Sequence, residues 1–160
     1  MIREATSDDF QRLLELANTF GASNPWIYRS GVVEFDETLL TSPPKTIYVK
    51  IVNNVIVAFI STVVEGNTAL IDLLFADINE AASDRTRWIY ELARTVGEYT
   101  KALGVEKVQG VFPYQHQHLL QIDVFRNIVL YPVDNPQLVY IDEIPDNIIA
   151  NAQEWIDANV

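Results

Sequence analysis

Asp72 is the only carboxylate inside the apolar run Thr68–Phe75 (TALIDLLF), and that run leads into a loop, Ala76–Arg87, before a long helical stretch. A carboxylate held among apolar neighbours suits proton abstraction, provided it lies within hydrogen-bond reach of the group giving up the proton. On the solvated side of an alternating strand the same residue would be an ordinary surface acid, and the sequence leaves both readings open. A loop between a strand and a helix N-terminus binds anions, because free backbone N–H groups and the positive end of the helix dipole converge there. Arg85 and Arg87 stand in that stretch and can add charge-assisted bonds; as helix-surface residues they can equally pair with Glu91 or Asp84. His116 and His118 sit two apart, a spacing that splays them on a helix, so no metal site is expected. The chain has no cysteine, hence no thiol nucleophile, no thiolate metal site and no disulfide framework.

The elements that must position these residues follow from periodicity. Thr68–Phe75 reads as a buried strand without glycine or proline. Ser83-Asp84 offers an N-cap for a helix whose apolar residues Trp88, Leu92, Val96, Tyr99 and Leu103 draw one stripe, with Arg87, Glu91, Arg94, Glu98 and Lys101 off it. Gly104 stops that helix and Val105–Phe112 is the next strand, a crossover that requires a parallel pair. Before it, Thr46–Val52, Val55–Val64 and Thr68–Phe75 form an antiparallel meander with turns at Asn53-Asn54 and Glu65-Gly66-Asn67.

Upstream, Ile2–Ala5 is an edge strand, and Thr6 and Ser7 cap a helix with Phe10, Leu13, Leu14, Ala17 and Phe20 inward, ending at Gly21. Residues 21–45 are irregular, with a short helical piece over Phe35–Leu40 and an aromatic–basic cluster of Trp26, Tyr28 and Arg29. Downstream come a helix over Gln115–Arg126, strands over Ile128–Tyr131 and Leu138–Ile141, and a last helix opened by Pro145. Its apolar stripe is Ile148, Ile149, Ala152, Trp155 and Ile156; Trp155 and Ile156 pack either on their own core or in a homodimer through this helix.

The 160 residues fit one domain, and an apolar fraction of 49% is enough for a full core. The net charge of −11 would repel a phosphate backbone, so nucleic acid is not expected as a partner. A basic protein or cationic substrate would be attracted, although acidic surfaces also serve simply to keep soluble proteins apart. No apolar run approaches the roughly 18 residues that cross a membrane. The N-terminus carries Arg3, Glu4, Asp8 and Asp9 with no apolar signal core, so a cytoplasmic location is expected.

The order strand, helix, short helix, three strands, helix, strand, helix, two strands and an extra helix resembles the GCN5-related N-acetyltransferase (GNAT) fold over residues 2–142. Ile2-Arg3-Glu4-Ala5-Thr6 with Asp8-Asp9 looks like the family's opening, Asn53-Asn54 like the turn between its second and third strands, and Gly104-Val105 like a helix–strand junction. The resemblance implies a single α+β domain over 1–160. Its α/β/α layers would enclose a mixed central sheet of about seven strands with flanking helices, and the extra C-terminal helix spans 145–158. It implies acetyl-CoA as cofactor and acetyl transfer to a primary amine by direct attack in a ternary complex. The family's glycine-containing pyrophosphate loop falls on Ser83-Asp84-Arg85-Thr86-Arg87, which has no glycine and sets Asp84 against the phosphates. Cofactor contacts are thus implied at Leu74, Phe75, Ala76, Arg85, Thr86 and Arg87, with N–H groups near Phe75 holding the carbonyl oxygen. Asp72 corresponds to the family's base. The family's acidic tyrosine is missing, since its position falls near Val124 or Phe125; Tyr114 and His118 are polar alternatives, and His118 is the catalytic candidate. The missing glycines and tyrosine, the acidic surface and the added helix favour an alternative: a GNAT-shaped binding or assembly protein without catalysis, similar to tailed-phage virion components.

Overall fold

Asn53 and Asn54 both adopt positive φ, 51° and 63°, the left-handed conformation that a two-residue hairpin turn requires. They fold β2 (Thr46–Val52) back onto β3 (Val55–Glu65), and Gly66, at φ 59°, turns β3 into β4 (Thr68–Ala76). The computed structural model describes residues 1–23, 35–113, 128–130 and 138–159. The short strand β1 (Ile2–Glu4) pairs antiparallel with β2 at one edge. After β4 the helix α3 (Ala82–Ala102) crosses over to β5 (Lys107–Pro113), which runs parallel to β4 as expected. Strands β6 (Ile128–Leu130) and β7 (Leu138–Glu143) complete a seven-stranded mixed sheet in the order β1-β2-β3-β4-β5-β7-β6.

Each face of the sheet carries its own core. The helix α1 (Phe10–Ser23) and the short α2 (Thr38–Thr41) bury Leu13, Leu16, Ala17 and Leu40 against Ile47, Val49, Phe59, Leu73 and Phe75. On the other face α3 and the last helix, α4 (Pro145–Ala158), bury Trp88, Leu92, Val96, Ile148 and Ala152 against Ala58, Ile60, Ile71 and Val108. Each of the buried Val, Leu, Ile and Phe side chains contributes about 1.5–3 kcal/mol on removal from water.

Several boundaries move from their sequence-based positions for physical reasons. The N-cap of α3 is Ala81, not Ser83; Asp84 instead lies in the first turn, where the dipole favours it, and bonds Arg87. The buried face of α3 is wider than one stripe: Ile89, Tyr90, Ala93, Gly97 and Thr100 are buried as well, while Leu103 is exposed and Tyr99 half-buried. The cause is α4. Its Trp155 ring stacks on Tyr90 at 4.1 Å with an interplanar angle of 6°, and Ile156 packs against the same core. Gly97 permits the close approach, since a Cβ there would lie 2.8 Å from Ile149 Cγ1. Gly104, at φ 76°, ends the α3 segment, and β5 starts at Lys107 because Val105 N–H still bonds Thr100 O. The helix α1 continues through Gly21 to Ser23, and the short helix lies at Thr38–Thr41. The expected helix over Gln115–Arg126 and the Trp26, Tyr28 and Arg29 cluster lie outside the described residues. Among the described residues no helix is long and apolar enough to cross a membrane, and no group of three or more His, Asp or Glu is placed to hold a metal.

One ion pair fixes the edge strand to the start of α1. Arg3 donates to Asp9 Oδ2 at 2.8 Å and Oδ1 at 2.9 Å, and Thr6 N–H donates to Oδ2 at 2.8 Å. The Arg3 guanidinium, more than the Thr6 amide, holds the Asp9 carboxyl below its ordinary value of 3.8. A depressed folded-state value stabilises the fold above 3.8, and that stability is lost as the pH falls through the lower value. Asp9→Asn is therefore expected to flatten the acid limb of melting temperature against pH while leaving its slope near neutrality unchanged.

Candidate active site

Two strands that start as neighbours part company halfway along. The parallel ladder runs from Thr68 opposite Lys107 to Ile71 opposite Gly110 and stops there, yet β4 continues to Ala76 and β5 to Pro113. Beyond that point β4 stays paired with β3, through Leu73–Ser61 to Ala76–Ala58, and β5 stays paired with β7. The facing edges of β4 and β5 beyond Ile71 and Gly110 are thus not paired with one another, a wedge at the end of the ladder. Asp77 N–H donates to Val57 O on β3 at 2.8 Å. By strand alternation the N–H groups of Leu73 and Phe75 point the same way, and those of Leu74 and Ala76 point into the wedge.

The wedge begins at a bulge. Ile71 lies opposite Thr62 and Leu73 opposite Ser61, so Asp72 is the extra residue in β4. Its effect reaches both cores: Ile71 packs on the α3 side, whereas Leu73 and Phe75 pack on the α1 side, positions that plain alternation would have placed together. Phe75 fills that second core against Phe59 and Phe35, at ring separations of 5.4 and 6.5 Å.

Asp72 is not a lone carboxylate. Lys45 Nζ donates to its Oδ2 at 2.6 Å and to Leu39 O at 2.8 Å, and Ser61 Oγ donates to its Oδ1. The Lys45 side chain is 2% exposed and that of Asp72 19%, so the pair is shielded, with the carboxylate the more accessible member. Lys45 and Ser61 are the functional candidates that sequence reasoning missed. Lys45 lies 27 residues from Asp72 and nothing in the intervening pattern links them. Ser61 did carry a signal, being a polar residue inside a strand too apolar to be half-exposed; it is fully buried.

The loop after β4 is ordered by Asp77 rather than by glycine. Asp77 Oδ1 accepts from Asn79 N–H at 3.0 Å, and Asp77 O accepts from Glu80 N–H at 3.1 Å. Arg12 of α1 braces the turn, donating from Nε to Ile56 O at 2.9 Å and from NH2 to Asp77 Oδ2 at 3.1 Å. The first α3 bond is Arg85 N–H to Ala81 O, and Ala81 brings no side-chain cap. The N–H groups of Ala82, Ser83 and Asp84 therefore precede the helical ladder. Arg87 pairs with Asp84 at 2.9 Å, and both, with Lys50, Val52, Val57 and Trp88, line a cavity of about 420 Å³ beside β2 and β3. Thr86 Oγ1 bonds Ala82 O at 2.9 Å. Arg85 differs from both: its Nε is buried with no hydrogen-bond partner among the described residues.

No protein-family model matches the sequence, and no curated protein matches it either. Solved structures do. An N-acetyltransferase from Staphylococcus aureus Mu50 superposes with a TM-score of 0.68 at 14% identity, over 91% of this chain and 98% of that one. The PaiA N-acetyltransferase of Thermoplasma acidophilum, solved with coenzyme A, gives 0.64 at 13% identity over 90% and 98%. Tetrahymena GCN5 gives 0.62 at 13% identity over 91% and 97%. The fold is that of the GCN5-related N-acetyltransferases. Within the GNAT frame, the donors that follow one another along the chain here are the Leu74 and Ala76 N–H groups beyond the β5 ladder, the α3 N-terminus without a side-chain cap, and Arg85, whose Nε has no partner among the described residues. That donor set fits an extended chain ending in phosphates. Asp84 works against it, and its pairing with Arg87 reduces both charges at once. Phe75 belongs to the core, Thr86 to its own helix, and His118 lies outside the described residues.

Proposed function

We propose that this GNAT-fold chain is an N-acetyltransferase that takes acetyl-CoA as donor and a primary amine as acceptor. The observation that carries this reading is the wedge: a ladder that ends at a bulge, leaving the next β4 main-chain donors without β5 as a partner, shortly before a helix N-terminus. Acetyl-CoA supplies the activated thioester. The Leu74 and Ala76 N–H groups bind its extended arm and polarise the thioester carbonyl, and Arg85 with the first-turn N–H groups of α3 binds its phosphates. Asp72, at the head of the wedge, holds the acceptor amine with its exposed lone pairs and takes up the proton released as the N–C bond forms and the C–S bond breaks. The departing thiolate takes up a proton, for which His118, outside the described residues, is the candidate donor. The acidic surface, net charge −11, favours a cationic acceptor.

A second reading, a GNAT-shaped binding module, draws support from the missing glycines and tyrosine and from one structural feature: both Asp72 oxygens already accept bonds from Lys45 and Ser61. One titration separates the readings. Acetyl-CoA is expected to raise the melting temperature by mass action, with about 2.7 kcal/mol of stabilisation at a hundredfold excess over Kd. Adding cationic primary amines is expected to release free thiol. No thermal shift at millimolar donor removes the acetyltransferase reading, and a shift without thiol release from any amine leaves the binding module.

A further inference from the structure

We infer that Lys45 and Ser61 are positioning residues: acting through Asp72, they hold the β4 bulge in place and so keep the mouth of the wedge open. The inference rests on reading the wedge as the donor site. Three observations coincide at one point of the sheet. The β4–β5 ladder ends at Ile71, the next residue is the bulged Asp72, and the Asp72 side chain is the one that Lys45 and Ser61 bind. A bulge bends its strand and raises the local twist, which turns β4 away from β5 beyond this residue. Ser61 is fully buried and sits on the partner strand opposite the bulge, so it bonds the extra residue across the site of the register shift. Lys45 reaches the same carboxylate from the chain just before β2 while its ammonium also bonds Leu39 O, within α2. The bulged residue is therefore tied to β3 on one oxygen and to the α2 side on the other.

Without those ties, the bulge is held only by the packing of Leu73 and Phe75 in the α1-side core. Straightening would turn the Leu74 and Ala76 N–H groups toward β3 and bring the two strands into register beyond Ile71 and Gly110. Neither Lys45, 2% exposed, nor Ser61, fully buried, can reach a bound donor, so any effect of theirs on donor binding passes through the backbone.

The test compares wild type with Ser61→Ala, Ser61→Thr and the charge-free double variant Lys45→Met/Asp72→Leu. Amide hydrogen exchange of the apo proteins and calorimetric titration with coenzyme A are the readouts. The double variant keeps a packed, uncharged core and is expected to fold, because apolar replacement of a buried pair is often neutral. Its coenzyme A affinity is expected to fall by about tenfold or more, and its Leu74 and Ala76 amides to gain about tenfold protection. Ser61→Ala is expected to shift both readouts in the same direction by less, and Ser61→Thr, which keeps the hydroxyl, to restore them. A merely structural role would lower the melting temperature and leave the exchange pattern and affinity alone. A folded double variant with wild-type exchange at Leu74 and Ala76 overturns the inference. If wild type itself fails to bind coenzyme A, the donor-site reading falls, while the exchange contrast still decides whether the clamp sets the bulge.

Discussion

Lys45→Met alone is expected to destabilise the fold by about 3–5 kcal/mol, the range seen when one member of a buried ion pair is removed. The magnitude follows from burial. The Lys45 side chain is 2% exposed and bonds both Asp72 and Leu39 O, so its loss strands a shielded carboxylate and leaves a carbonyl without that donor. The Arg87–Asp84 pair, with side chains 44% and 40% exposed, makes the contrast: its removal is expected to change stability by less than about 1 kcal/mol. Adding Asp72→Leu to Lys45→Met is expected to recover most of the loss, because the uncompensated charge disappears with its partner. Urea unfolding reads this directly, as a midpoint that drops in the single variant and returns in the double, at constant slope. A loss below about 1 kcal/mol in Lys45→Met would mean that water screens the pair as it does a surface one, and the account of Asp72 as a shielded carboxylate would fail.

The meander and the crossover were legible in the sequence because their signals are local. Asn53-Asn54 and Gly66 mark turns by conformations that few other residues tolerate, and the apolar runs between them have strand length. The parallel β4–β5 pair followed from the length of the intervening helix. What was not legible depends on residues that meet only in three dimensions. The bulge at Asp72 changes which face Leu73 and Phe75 occupy, and periodicity has no means of placing it, since an apolar run reads the same with or without a slip. The partnership of Asp72 with Lys45 joins a strand interior to the chain before β2. The wide buried face of α3 required knowing that α4 returns beside it, with Gly97 as the point of closest approach. The glycine-free stretch Ser83–Arg87 lies in the first turns of α3, and the turn before it is closed by Asp77, which Arg12 holds.

Arg85→Ala is expected to weaken coenzyme A binding by about 10–100-fold, the loss of one charge-assisted bond to phosphate worth about 1.5–3 kcal/mol. Arg87→Ala is expected to change it by less than about threefold. The two arginines are two residues apart on one helix, and the sequence treats them alike. The structure separates them: Arg87 is bonded to Asp84 and lines the cavity beside β2 and β3, whereas Arg85 has a buried Nε with no partner among the described residues. A buried donor left unsatisfied costs about 1–3 kcal/mol, and an anion at the α3 N-terminus would supply what it lacks. Removing Arg85 should therefore move two measurements in opposite directions, with the apo protein melting no lower than wild type and the coenzyme-bound protein melting lower. A residue that only braced the helix would lower both. Asp84→Asn should tighten binding only slightly, because it removes a negative charge from the first turn of α3 but one that pairs with Arg87 and lines the same cavity. Equal losses from Arg85→Ala and Arg87→Ala would place the phosphates somewhere other than the end of the wedge, and the line of donors from Leu74 through the α3 N-terminus would no longer describe a single site.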